Sequence, residues 1–309
     1  MTREIAVLDA PSNLGLRPPE PGHLPGVWRL PRALRAQGLL ERLAAQDAGE
    51  VRPPEYSPAP DPQTGFRNGS KIAAYSQALS KRVAALVKKG LIPLVLGGDC
   101  SILLGNMLAL RSIGEYGLCF IDGHQDFAYP RSHEYLGYFA AAGLDLGLVT
   151  GHGPDALTNL NGLKPFVKEP NVVALGFYDD PADAADYETE AIYRSDIRTM
   201  PIGAVRALGA QHTARSALRE LENTEVQGFW IHLDVDVLDQ TVMPTVDSPN
   251  PRGLSYRDLI EILQVLLRSD GLAGMEITIL DPELDPQGRC AAEFTAAVVE
   301  SFRSRSIVK

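Results

Sequence analysis

Cysteine is scarce in this 309-residue chain, which contains three: Cys100, Cys119 and Cys290. So few cysteines do not make the disulfide framework of a small secreted protein, and a reducing compartment is expected. Long apolar runs are absent as well, since no stretch approaches the roughly 18 residues that a membrane-spanning helix needs. The apolar start of the chain is too short for a signal peptide. We therefore expect a cytoplasmic protein without a membrane partner.

Basic residues are outnumbered, with 29 Lys and Arg against 39 Asp and Glu and a net charge of −10. This balance disfavours nucleic acid as a partner. With 45% hydrophobic residues the chain can bury a full core. Eleven of the 23 prolines fall in the first 62 residues, which favours loops over 11–65 with a short helix near 31–45. We predict one domain over 1–309, with residues 1–69 as a proline-rich segment packed on it.

Short apolar runs alternate with helical periodicity from residue 70 onward. Each run ends in glycine or aspartate, as the strands of a parallel sheet do when they lead into loops; the predicted strands are 91–96, 118–121, 172–175, 229–233 and 275–280. Helices are predicted over 70–90, 101–112, 205–222 and 255–268, with Ser255 and Asp258 as a capping box. The pattern is typical of an α/β protein whose sheet is covered on both faces. Ligands of such sheets bind at the carboxyl ends of the strands.

The first polar cluster at a strand end contains Asp122, His124 and Asp126. In an extended segment these three side chains project to one side, where two carboxylates and an imidazole suit a divalent cation. A purely structural role, with Asp122 as a cap and His124 in an ordinary hydrogen bond, is the alternative.

A second cluster contains Asp234 and Asp236, which share a face at the end of an apolar strand. Two buried carboxylates side by side need a cation or a shared proton. A solvated loop is the alternative, but the alternating Leu233, Val235 and Val237 disfavour it.

Two further strand ends carry isolated candidates. Asp99 and Ser101 at one strand-to-helix junction are candidate helix caps, and Cys100 between them is either a buried apolar residue or a thiolate ligand. Glu276 stands between apolar residues on a late strand and needs a partner such as a cationic substrate or an arginine.

Together these motifs resemble the ureohydrolases, the family of arginase, agmatinase and formiminoglutamase. The family pattern of G-G-D-H-S, D-A-H-x-D, D-x-D-x-x-D-P and a later glutamate corresponds here to GGDCS at 97–101, DGHQD at 122–126, DVDVLDQ at 234–240 and GMEI at 274–277. The resemblance covers roughly residues 70–300. It implies a three-layer α/β/α sandwich on a mainly parallel sheet, a trimeric or hexameric homo-oligomer and two Mn²⁺ ions that share a hydroxide.

The resemblance also implies a role for each matched residue. Asp122 and Asp234 would bridge two metals, His124 and Asp236 would complete one site, and Asp126 and Cys100 would complete the other. Asp126 would also orient the hydroxide that attacks the guanidinium or amidine carbon, releasing urea or a related product. Glu276 would hold the cationic head group of the substrate.

Besides the minor changes at Gly123 and Gln240, two departures from the family pattern bear on the chemistry. Cys100 replaces a histidine ligand, and its soft sulfur suits Zn²⁺ or Fe²⁺ better than Mn²⁺. A cysteine here is similar to the branch that acts on Nω-hydroxyarginine. The usual histidine proton shuttle after Asp126 is missing, which leaves the general acid unassigned with His133 as one candidate. Asp179 is a candidate for binding the substrate tail.

Two alternative functions remain at this point. A deacetylase-like amide hydrolase would hold one Zn²⁺ with Asp122, His124 and Asp234. A non-catalytic family member would keep the fold for assembly or regulation.

Overall fold

A single sheet forms the centre of the computed structural model, which describes residues 3–59, 61–128, 139–178, 189–223 and 225–303. Within these ranges the strands are β1 (Ile5–Ala10), β2 (Gln46–Glu50), β3 (Ile92–Gly97), β4 (Gly117–Ile121), β5 (Val172–Leu175), β6 (Arg198–Met200), β7 (Phe229–Asp234) and β8 (Leu272–Thr278). Their order across the sheet is β2-β1-β3-β8-β7-β4-β5-β6. Every neighbouring pair is parallel, so that all the strands end at the same edge.

Helices connect successive strands and cover both faces of the sheet. In the described ranges they are α1 (Leu30–Ala36), α2 (Leu39–Arg42), α3 (Gly69–Lys88), α4 (Ile102–Arg111), α5 (Asp145–Val149), α6 (Asp155–Thr158), α7 (Ala191–Arg194), α8 (Ile202–Leu208), α9 (Ala210–Glu222), α10 (Tyr256–Leu266) and α11 (Arg289–Arg303). None of these helices combines the length and the apolar character that crossing a membrane requires.

Two hydrophobic cores lie on opposite faces of the sheet because successive side chains of a strand point in opposite directions. On β1, Val7 belongs to the core with α1, α9, α10 and α11, whereas Leu8 belongs to the core with α3, α4 and α5. On β7, Ile231 and Trp230 divide in the same way. The three-layer α/β/α architecture predicted from the sequence is confirmed, and the sheet is parallel throughout its described strands.

The N-terminal 69 residues contribute two strands to the sheet itself. Strand β1 lies between β2 and β3, and β2 forms one edge. The helix expected near 31–45 is divided into α1 and α2 by Gly38, whose φ of 75° no helix accommodates. A similar break at Gly209, with φ of 84°, divides the helix expected over 205–222 into α8 and α9. The capping box of Ser255 and Asp258 on α10 is confirmed.

The turn after β3 depends on Gly98, which lies against the N-terminal segment. A Cβ at this position would lie 1.6 Å from the carbonyl oxygen of Ser12. Ser12 in turn donates to Asp99 Oδ2 at 2.7 Å, and Asp99 Oδ1 accepts from the backbone N–H of Ser101 at 2.9 Å. Asp99 therefore fixes the turn that presents Cys100 at the sheet edge.

We predict that Gly98→Ala lowers the free energy of unfolding by about 1–3 kcal/mol or more, because the added methyl group overlaps the backbone of Ser12, which cannot move aside as a side chain can. Chemical denaturation followed by circular dichroism measures the change. Gly203→Ala is the matched control, since Gly203 lies on α8 with nothing within 4 Å of the added Cβ. That control should be neutral or more stable. Equal stabilities of the two variants would contradict the close packing at Gly98.

Candidate metal centre

Polar residues converge at the edge of the sheet where β3, β8, β7 and β4 end side by side. The turn after β3 carries Cys100, and the segments after β4 and β7 carry Asp122 and Asp236. Asp234 is the last residue of β7. The structure thus brings together acids that are far apart in the sequence, as the strand-end pattern predicts.

Four residues at this edge, which include His232 on β7, form what we term the first ligand cluster: Cys100, Asp122, His232 and Asp234. One donor atom from each lies within 4.8 Å of the others, and all four side chains are buried. The Cys100 thiol donates to Asp234 Oδ2 at 2.7 Å. This set offers sulfur, nitrogen and carboxylate oxygen to one point.

A second ligand cluster adjoins the first and shares Asp122 with it; its other members are His124 and Asp236. Nδ1 of His124 lies 3.0 Å from Asp236 Oδ2 and 3.7 Å from Asp122 Oδ1. The charge of Asp236 raises the pKa of His124 well above its ordinary value. The His124 side chain is 37% exposed, so this cluster is open to a cavity.

Backbone amides orient the carboxylates of both clusters. Oδ1 of Asp122 accepts from the N–H of His124 at 2.6 Å, and Oδ1 of Asp234 accepts from the N–H of Asp236 at 2.8 Å. Oδ1 of Asp236 accepts from the N–H of Gly123 at 3.0 Å. One oxygen of each acid is held in this way, which leaves the second oxygen directed at the centre.

A cavity of about 320 Å³ opens directly above the two clusters. Cys100, His124, Asp234 and Asp236 contribute to its floor, and its walls include Leu16, Gln125, Asp126, Phe127, Tyr178, Asp247, Ser248 and Ile279. Asp126 and Ile279 have φ of 43° and 77°, a region that residues other than glycine seldom adopt. Such strained backbone concentrates at functional sites.

The acids of the centre repel one another in the absence of a cation. Burial, together with the charges of Asp236 and Asp122, raises the pKa of Asp234 well above its usual range. Desolvation and the charge of Asp122 raise the pKa of Asp126 in the same direction. Burial and the charge of Asp234 raise the pKa of the Cys100 thiol, so that it is protonated at neutral pH unless a cation binds it.

The residues present fit a divalent cation. Asp122 Oδ2 is buried and, within the described part of the chain, has no hydrogen-bond partner, although a buried carboxylate oxygen without a partner is costly. A cation bound by Asp122 and the neighbouring donors would satisfy this oxygen and neutralise the cluster. Asp126 belongs to neither ligand cluster but lines the cavity beside them.

Glu276 is not among the described residues that line the cavity. Its side chain is fully buried within the sheet layer, where Oε1 lies 2.7 Å from Nδ1 of His232. The other oxygen accepts from the side-chain amide of Asn106 on α4. The sequence signal was sound in requiring a partner for Glu276, but the partner is a neighbouring residue of the protein. Glu276 thus positions His232 from beneath the centre.

Three residues at or near the centre were missed from the sequence. His232 lies two positions before Asp234 on β7, so its side chain points to the same face of the strand. This alternation is the sequence signal that could have identified it. Asp145 on α5 is fully buried and its Oδ2 lies 3.9 Å from His232 Nε2. Asp247 lines the cavity from the loop before α10. Asp179 and His133 lie outside the described residues.

Known proteins resemble the chain along nearly its whole length. A family model described as the Arginase family matches residues 22–303. An arginase of Staphylococcus aureus is 29% identical over 97% of each chain. The structure of arginase from Bacillus caldovelox is 25% identical, with a TM-score of 0.84 over 97% of this chain and 98% of that one. The formimidoylglutamase of Bacillus subtilis, 18% identical with a TM-score of 0.72 over 99% of this chain and 88% of that one, shares the fold.

We predict that the metal-free chain becomes less stable as pH rises from about 5 to 8. The folded state holds protons on acids such as Asp234, whose pKa is raised, whereas the unfolded chain has released them. Each such group lowers the free energy of unfolding by at most about 1.4 kcal/mol per pH unit, or roughly 3 °C in Tm. Calorimetry with EDTA measures this slope, and a bound divalent cation should abolish it.

Asp234→Asn should reduce the slope in EDTA, because it removes a group that binds a proton in the folded state and releases it on unfolding. Asp155→Asn is the control, since Asp155 is exposed and pairs with Lys164 away from the centre. A metal-free protein whose Tm rises across this pH range would contradict the account of the buried acids.

Proposed function

Because the chain belongs to the arginase family, we propose that it is a metal-dependent hydrolase that cleaves a linear C–N bond of a guanidino or amidino compound. The product is urea or a related compound, and the amine is released. The observation that carries this proposal is the pair of ligand clusters that share Asp122 at the floor of one cavity.

The family resemblance implies six residues that would hold the metal: Cys100, Asp122, His124, Asp126, Asp234 and Asp236. Asp126 is the one of these that lies outside both ligand clusters. Two divalent cations at adjoining sites supply, when bound, a water that is acidic enough to act as a nucleophile at neutral pH. Mn²⁺ is the ion implied by the family resemblance, and the Cys100 sulfur favours Zn²⁺ or Fe²⁺. The second ligand cluster, with His124 and Asp236, supports a binuclear centre over the single-metal amide hydrolase.

Asp126 is the residue that we assign to the reacting water. Its carboxylate lines the cavity beside both ligand clusters, within reach of a water bound there, where it can accept a proton. A water above the floor could donate a hydrogen bond to Asp126, which fixes the direction of its attack. The strained backbone at Asp126 is consistent with a side chain held in place for function.

For recognition of the cationic substrate we add an acid of the cavity wall to Glu276, which the family resemblance implies for the head group. Asp247 lines the cavity next to Ser248. Desolvation, with the added charge of Asp236, raises the pKa of Asp247 to about 6. Above this pH its carboxylate attracts a guanidinium or an amine. The family resemblance further implies a homo-oligomer.

We predict that the metal-loaded protein releases urea from at least one of arginine, agmatine, guanidinobutyrate and Nω-hydroxyarginine. A colorimetric urea assay with Mn²⁺, Zn²⁺, Fe²⁺ or Co²⁺ measures this. Asp126→Asn should lower kcat about 10²- to 10⁴-fold with little change in KM, because it removes a proton acceptor. His212→Gln, at an exposed position on α9, is the control. Silence of the folded, metal-loaded protein with every substrate and metal would support the non-catalytic alternative.

The dependence of KM on pH should report Asp247. As pH falls through about 6, Asp247 gains a proton and loses its attraction for a cation, so KM rises. Asp247→Asn should raise KM about 10-fold at pH 8, equivalent to about 1.4 kcal/mol, and make it insensitive to pH in this range. Ser248→Ala is the neighbouring control. An unchanged KM profile in Asp247→Asn would exclude Asp247 from substrate binding.

A further inference from the structure

His232 is a buried histidine in which one ring nitrogen is hydrogen-bonded and the other faces two carboxylates. Its side chain is 0% exposed and its ring stacks on Phe120, with centroids 4.6 Å apart and planes 8° apart. Nδ1 lies 2.7 Å from Glu276 Oε1. Since the Glu276 carboxylate also accepts from Asn106, Nδ1 is the donor in this pair and the ring cannot rotate.

The other ring nitrogen, Nε2, is buried and has no hydrogen-bond partner among the described residues. It lies 3.6 Å from Asp122 Oδ2 and 3.9 Å from Asp145 Oδ2, both beyond hydrogen-bond length. These two oxygens are buried and unpartnered as well. Three buried polar atoms that lack hydrogen bonds and face one another at such distances indicate a binding site for an atom that contacts them all.

A tetrahedral cation accounts for this spacing. With bonds of about 2.1 Å to nitrogen and oxygen, two ligands of one zinc ion lie roughly 3.4 Å apart, close to the distance from Nε2 to Asp122 Oδ2. Histidine ligands also generally donate their second N–H to a carboxylate, as Nδ1 does to Glu276. The geometry around His232 is therefore that of a metal ligand with its supporting acid.

We propose that Nε2 of His232 is a direct ligand of the cation in the first ligand cluster. The cluster then provides one sulfur, one imidazole nitrogen and two carboxylates, the donor set that suits Zn²⁺ better than Mn²⁺. Glu276 and Asn106 act as positioning residues that orient the imidazole. The proposal deepens the proposed function only in naming a ligand and a metal preference. It makes no use of a substrate, so hydrolysis and metal binding can fail independently.

Metal binding without substrate tests this ligand. The metal-stripped full chain is titrated with Co²⁺, whose sulfur-to-metal and visible absorption bands report a tetrahedral site that contains Cys100. We expect two equivalents in the unmodified chain. His232→Gln should weaken the site with the Cys100 band at least about 100-fold, and Glu276→Gln about 10- to 100-fold. His212→Gln is the control for the loss of an exposed histidine, and His124→Gln should affect the other equivalent.

If His232→Gln does not fold, NMR of the unmodified chain labelled with ¹⁵N-histidine tests the same ligand by measuring which ring nitrogen of His232 carries a proton. Addition of Zn²⁺ should leave His232 with a proton on Nδ1 alone and shift the Nε2 resonance. A His232 ring that retains protons on both nitrogens in the zinc-loaded protein would overturn the proposal and make His232 a buried counter-ion. Unchanged cobalt affinity and absorption in a folded His232→Gln variant would overturn it as well.

Discussion

Electrostatic repulsion among buried acids at one edge of the sheet is the constraint on which the site depends. Asp122, Asp234 and Asp236 are almost wholly buried, and Asp126 lies beside them in the cavity wall. Burial, together with the like charges of Asp236 and Asp122, raises the pKa of Asp234. Acids in this arrangement are ionised together only if cations lie between them. Bound cations are therefore needed both for the stability of this region with ionised acids and for its chemistry.

The rest of the fold serves to hold these acids in position. Parallel strands bring the segments that follow β3, β4, β7 and β8 to one edge, and backbone N–H groups fix one oxygen of each ligand acid. Beneath the centre, α4 and the sheet enclose the polar pair of Glu276 and His232. A rigid floor of this kind, under an open cavity, suits a reaction in which water attacks a bound small molecule.

Most of the architecture and the acids of the centre could be predicted from the sequence. Continuous apolar runs followed by Asp122 and Asp234 predict buried parallel strands that end at a ligand site, because both signals are local. Strand β2 has polar residues on an exposed sheet edge, so its sequence gave no strand signal. The role of Glu276 could not be derived, since its environment depends on Asn106 and His232, which lie far away in the sequence. Asp145 is likewise brought to the centre only by the tertiary fold.

The most direct test of the account is a crystal structure of the chain grown with Mn²⁺ or Zn²⁺, with anomalous diffraction recorded at the metal edge. Two anomalous peaks are expected, one in each ligand cluster, with Asp122 between them. Peaks elsewhere on the surface, or no peak among these acids at saturating metal, would contradict the claim that cations hold the centre together.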